Sequence, residues 1–111
     1  MESAPTPREA RREIRDHLPE LIHQYLRYIR RRRAWVTATE ILKHFGLGKR
    51  ESLVVQELLE MKERGPKELL SPENLIHTPI FVLEVRERWN SQTQTNFREF
   101  LVERNLYYRR V

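Results

Sequence analysis

Residues 35–65, WVTATEILKHFGLGKRESLVVQELLEMKERG, set the first expectation for the fold of this chain. Apolar residues recur at three- and four-residue spacing on both sides of a glycine-bearing centre, which reads as a short helix, a tight turn and a longer helix. Thr37 or Thr39 is suited to cap the first helix, residues 40–45, and Gly46 to end it. Ile41, Leu42 and Phe45 face inward, and Leu47 buries an apolar side chain behind the turn. The longer helix is expected over residues 49–64, with Val54, Val55, Leu58, Leu59 and Met61 on its buried face and Gly65-Pro66 as its stop. Trp35 and Val36 read as core or as a short extended link.

On the N-terminal side, Leu18, Leu21, Ile22, Tyr25, Leu26 and Ile29 form one apolar stripe, so a helix is expected over residues 17–33. Asp16 is its candidate cap, and Pro19 is tolerated where its missing N–H falls in the first turn. Residues 8–15, REARREIR, have good helix formers and opposite charges at i,i+4, but only Ile14 anchors them to a core, so they are expected to be helical in part. Residues 1–7 read as a disordered lead. The run Arg30, Arg31, Arg32 and Arg33 has two readings of equal standing. Positive charge at a helix carboxyl end interacts favourably with the macrodipole, and four arginines also suit a phosphate-contacting patch.

On the C-terminal side, residues 67–85 allow two readings. They fit a short β-hairpin turning at Ser71-Pro72-Glu73-Asn74, with β-forming residues from Ile80 to Val85. The cap-then-proline pairs Ser71-Pro72 and Thr78-Pro79 are helix starts, and they favour a helix over 79–89. Residues 90–95, NSQTQT, read as a polar loop. Asn96 and Glu99 form a candidate capping box for a last helix to residue 105, docked by Phe97, Phe100 and Leu101. The expected fold class is therefore mainly α. A single helical domain would span residues 8–105 with additional C-terminal helices, a possible short hairpin within 67–85, and a tail at 106–111.

Composition narrows the function. With 111 residues the chain suffices for one modest core. There are no cysteines, which excludes disulfides, thiol nucleophiles and thiolate metal sites. His17, His23, His44 and His77 have no ligand spacing, so no metal is expected. Three glycines cannot make a dinucleotide fingerprint or a P-loop, and no serine sits in a nucleophile elbow, so neither catalysis nor a cofactor is expected. No apolar run is long enough for a membrane helix and no export signal is visible, so the expected location is cytoplasmic, or nuclear in a eukaryote. Arginine supplies 17 of the 21 basic residues, which favours bidentate pairing to carboxylates or phosphates. The net charge is +5, and residues 1–36 carry +4 of it, outside the two-helix segment.

With the preceding long helix as the first of three, residues 18–65 resemble the helix-turn-helix and winged-helix superfamily. The resemblance rests on the outline of a short helix, a glycine-marked turn and a longer amphipathic helix, and the turn, GLGKRES, departs from the compact turn of that family by its two glycines. It implies a small DNA-binding protein, a transcriptional or replication accessory factor, that inserts the amino end of the later helix into the major groove of double-stranded DNA. Lys49 and Arg50 would then reach base edges or phosphates, Ser52 would touch the backbone, and Lys43 with Arg30 to Arg33 would attract flanking phosphates. Glu51, Glu57, Glu60 and Glu63 confine DNA contact to the first turn of that helix. A homodimer is expected, because one short helix end specifies too little sequence. One alternative is a helical adaptor that binds a protein partner on the same scaffold, since fold does not decide function. A third reading is RNA or single-strand binding through the arginine run and the tail residues Tyr107, Tyr108, Arg109 and Arg110, with tyrosines packed on the domain as the simpler outcome for the tail.

Overall fold

The computed structural model describes residues 7–64 and 72–109. Its elements follow the order α1 (Pro7–Tyr28), β1 (Arg33–Val36), α2 (Ala38–Phe45), α3 (Glu51–Glu63), α4 (Pro72–Ile76), β2 (Ile80–Asn90) and β3 (Thr95–Arg104). The three strands form one antiparallel sheet in the order β1-β3-β2. The fold is therefore α+β, and the mainly-α expectation is wrong.

The helical half follows the sequence pattern closely. Helix α1 starts at Pro7 and runs unbroken through Pro19, so Asp16 lies inside the helix and caps nothing. It buries Ile14, Leu18, Ile22 and Leu26, one residue per turn along one face. The helix ends at Tyr28, earlier than expected, in a Schellman motif: the Arg31 N–H donates to the Leu26 carbonyl and the Arg30 N–H to that of Arg27. Helix α2 begins with a complete capping box, in which Thr37 Oγ1 accepts from the Glu40 N–H at 3.1 Å and the Glu40 carboxylate from the Thr37 N–H at 3.4 Å. It closes at Gly46 in the left-handed region, φ +64°, with the Leu47 N–H on the Leu42 carbonyl. Helix α3 buries Val54 and Leu58 fully, while Val55, Leu59 and Met61 pack at the margin of the same core. The Gly65-Pro66 stop lies outside the described residues, as do residues 1–6.

The second half overturns the sequence reading. No helix spans 79–89 or 96–105; these residues form the two long strands β2 and β3. At the Ser71-Pro72 pair, Ser71 lies outside the described residues and Pro72 opens only the five-residue α4, which takes up residues 72–74 of the expected hairpin turn. The hairpin lies further on and turns at residues 91–94. The reason is visible across the rows of the sheet. Val36, Phe100 and Val85 form one row and Ala34, Val102 and Val82 another, all toward the helices. Between them Trp35, Leu101 and Glu84, and Arg33, Glu103 and Phe81, face the other way. Apolar residues thus occupy both faces, and Phe97, Phe100 and Leu101 imitate a helical i,i+3,i+4 stripe although they belong to a strand. A bulge between Val82 and Glu84 brings the two strands back into phase.

The helices cover one face of the sheet, with α1 and α3 packed on β2. Strands β2 and β3 continue past the end of β1, so the hairpin tip projects beside the amino ends of α2 and α3.

Candidate functional site

Two surfaces gather polar or charged side chains that the core does not need. The first is an open groove of about 730 Å³ between the hairpin tip and the amino ends of α2 and α3. Thr37 and Thr39 come from α2 and its cap, Ser52 from the first turn of α3, and Asn90, Thr95 and Asn96 from the hairpin. Arg98 is its cation and Glu51 and Glu87 its acids. Arg98 reaches Glu87 across the strands at 3.9 Å, both side chains being substantially exposed, so their mutual attraction is weak. The groove is thus rich in hydroxyl and amide groups and, with one cation against two acids, carries a formal charge of −1. Trp89, 62% exposed, stands in register with Asn96 on the same hairpin.

Of the residues expected to touch DNA, Ser52 lines this groove, whereas Arg50 does not. Arg50 turns toward α1 and lines a smaller cleft of about 290 Å³ with Leu21, Phe45 and Leu47. Lys49 and Lys43 are exposed on the turn and on the last turn of α2. Thr37, Thr39 and Asn96 were read from the sequence only as helix caps, and Asn90, Thr95 and Arg98 were given no site role. For Asn90 and Thr95 the one signal was the polar run of residues 90–95, which reads as an ordinary loop when the flanking strands are taken for helices.

The second surface is a basic pole at the opposite end of the sheet. Residues 97 and 103 of β3 lie about 20 Å apart at roughly 3.3 Å per residue, which separates this pole from the hairpin tip. Arg30 and Arg31 are exposed at the end of α1. Arg32 and Arg33 each place a guanidinium 3.2 Å from one oxygen of the Glu103 carboxylate, which is 4% exposed. A single buried acid therefore orients two exposed arginines. The Arg104 N–H donates to the Arg32 carbonyl at 2.7 Å, tying β3 to the arginine run.

The C-terminal turn packs against the same pole through Asn105. Its Nδ2 donates to the carbonyls of Leu75 at 2.7 Å and Thr78 at 2.8 Å, while its Oδ1 accepts from the Tyr107 N–H at 3.0 Å. Tyr107 consequently projects into solvent, 70% exposed. Tyr108 turns back onto His23, ring centroids 5.1 Å apart. Burial, followed by the charges of Arg104 and Arg27, holds the His23 pKa below its ordinary value of 6.5, against the opposing effects of Glu20 and a hydrogen bond to the Asn105 backbone. Arg109 is exposed, and Arg110 lies outside the described residues.

No family model matches the chain, and neither does any curated protein or solved structure. Function must be argued from these surfaces. Among the described residues no group of three or more His, Asp or Glu side chains is placed to hold a metal ion. None of the described helices is long and apolar enough to cross a membrane.

Proposed function

We propose that this chain is a small winged-helix-like protein that binds double-stranded DNA with the first turn of α3 and the β2–β3 hairpin. The observation that carries this reading is the hairpin itself, which rises beside the amino ends of α2 and α3 and makes one groove with them. A hairpin beside the amino end of α3 would serve as the wing of a winged helix, although it spans β2 and β3 and not residues 67–85. Ser52, Thr39, Asn96 and Arg98 would meet phosphates and base edges, with exposed Lys49 on a flanking phosphate. Arg50 drops out of the contact set, since it faces α1. Because the groove offers a single cation against two acids, hydrogen bonds would supply most of the affinity there and the salt dependence would be shallow. A homodimer on two half-sites belongs to the same proposal, since one module covers too little sequence.

The second reading, a protein-binding adaptor with no role for DNA, draws support from Glu51, Glu60 and Glu63 on α3 and from the exposed Trp89 on the hairpin. Acidic side chains along the later turns of α3 repel phosphates and suit a basic protein surface.

Fluorescence anisotropy of a labelled mixed-sequence duplex, titrated at several salt concentrations, separates the two. Under the DNA reading, binding is saturable, and Arg98→Ala lowers affinity several-fold and flattens the salt slope by about 0.9, the value for one phosphate contact. Absence of duplex binding at low salt would sink the DNA reading in favour of the adaptor.

A further inference from the structure

Arg32 of the arginine run and the tail residue Tyr107 lie far apart in sequence, yet they border a common pocket. This pocket, about 200 Å³, is framed by Arg32, Phe81, Glu103, Arg104 and Tyr107. Its chemistry differs from that of the hairpin groove: two aromatic residues, Phe81 and Tyr107, and Arg32 border a space large enough for one base-sized ring.

We infer that this basic pole is a second nucleic-acid site, specific for an unpaired nucleotide of a single strand, with the base stacked on Tyr107 and the phosphates on Arg30 to Arg33. An exposed tyrosine beside a guanidinium cluster offers a π-face to any base and cations to the adjoining backbone. Duplex DNA is a poor occupant, since its bases are stacked on one another and cannot enter a pocket of this size. Two structural features pre-organise the site. Asn105 fixes the backbone of the C-terminal turn, and Glu103 fixes Arg32 and Arg33 from beneath. Affinity therefore loses less to side-chain ordering than it would on a bare charged surface. The site lies at the other end of the sheet from the hairpin groove, so it stands or falls independently of the duplex reading.

The test uses the full chain and two labelled probes, a short oligothymidylate and a blunt mixed-sequence duplex, with unlabelled oligouridylate as a competitor. Tyr107→Ala is expected to weaken oligothymidylate binding about tenfold, within the range for one lost base stack, while Tyr107→Phe restores it. Neither change is expected to alter duplex binding, and Tyr107 is exposed enough that folding, checked by circular dichroism, should be unaffected. A bromouracil-substituted oligonucleotide should crosslink at Tyr107. Comparable competition by oligouridylate would give a single-strand site indifferent to the sugar, whereas weak competition would give one selective for DNA; either supports the inference. Unchanged oligothymidylate binding in Tyr107→Ala, with a loss only when Arg30 and Arg31 are both replaced, would overturn it, because charge alone would then explain the binding. No oligothymidylate binding at low salt would also overturn it, whatever the duplex does.

Discussion

Two helices of this protein end in the same hydrogen-bond pattern with different residues at the critical position. At the end of α2, Gly46 takes φ +64°. At the end of α1, Arg30 takes φ +57° in the equivalent place. The left-handed region costs a side-chain-bearing residue roughly 1 kcal/mol, and glycine avoids the cost. Arg30→Gly is therefore expected to stabilise the protein by about 0.5–1 kcal/mol, raising Tm by a few degrees in calorimetry. The same change should weaken oligonucleotide binding if the basic pole uses Arg30. Glu57 is a second residue whose setting opposes its charge. It is buried on α3, and burial, followed by the repulsion of Glu60, raises its pKa above the ordinary 4.5 against the pull of Arg64 and Arg15. A group whose folded pKa is raised contributes stability that is present below its unfolded pKa and is lost as pH rises through the folded value. Glu57→Gln should thus be more stable than the parent at pH 7, and the difference should shrink toward pH 4.5. His23 has the opposite sign. Its folded pKa is lowered, so its contribution is intact above pH 6.5 and declines on acidification. Thermal melts from pH 7 to 5 should show a steeper acid loss in Glu57→Gln and a shallower one in His23→Gln.

At the scale of elements, the helices were legible and the strands were not, for a local physical reason. Helix α2 declares its limits within ten residues, because Thr37, Glu40 and Gly46 each satisfy backbone groups that only a helix end exposes. The core faces of α1 and α3 repeat at helical period over enough turns to exclude a strand. The hairpin has no such signature. Its place in the sheet depends on β1, whose residues pair with partners 64 to 70 positions later in the chain, and pairing over that distance leaves no mark in a short window of sequence. The groove was half legible: Ser52 was found by its place in the turn, whereas Asn96 and Arg98 were misread along with the strand that carries them. The basic pole was readable only as two separate fragments. What joins them is the end of β3: Glu103 and the Arg104 N–H hold the arginine run, and Asn105, 3% exposed, anchors the turn that carries Tyr107. Asn105→Ala would leave the carbonyls of Leu75 and Thr78 without their donor and release the Tyr107 N–H. An expected loss of about 2–3 kcal/mol, measured by urea denaturation, follows from stranding buried polar groups. Hydrogen exchange should accelerate first in α4 and the C-terminal turn, since these are the segments that Asn105 holds together.

At the scale of the whole molecule, charge and shape are divided between two ends. The net +5 of the chain is concentrated at the basic pole, whereas the groove at the hairpin carries hydrogen-bonding groups and little net charge. Salt acts on the two differently, because counterion release scales with the number of phosphates neutralised. Replacing Arg30 and Arg31 together by glutamine removes two exposed cations without touching Glu103 or its partners. Oligothymidylate binding by that variant should weaken severalfold and lose about 1.4 from its salt slope, at roughly 0.7 per single-strand phosphate contact. Duplex binding through the hairpin groove should keep its slope. Parallel loss on both probes would mean that one basic surface serves every nucleic acid and that the hairpin groove contributes nothing. Loss confined to the single strand would mean that a 111-residue chain carries two sites of different chemistry on opposite ends of one sheet. A duplex continuing into an unpaired strand could then be held at both ends at once, and such a junction should bind more tightly than either probe alone, since the second contact is made at high effective concentration.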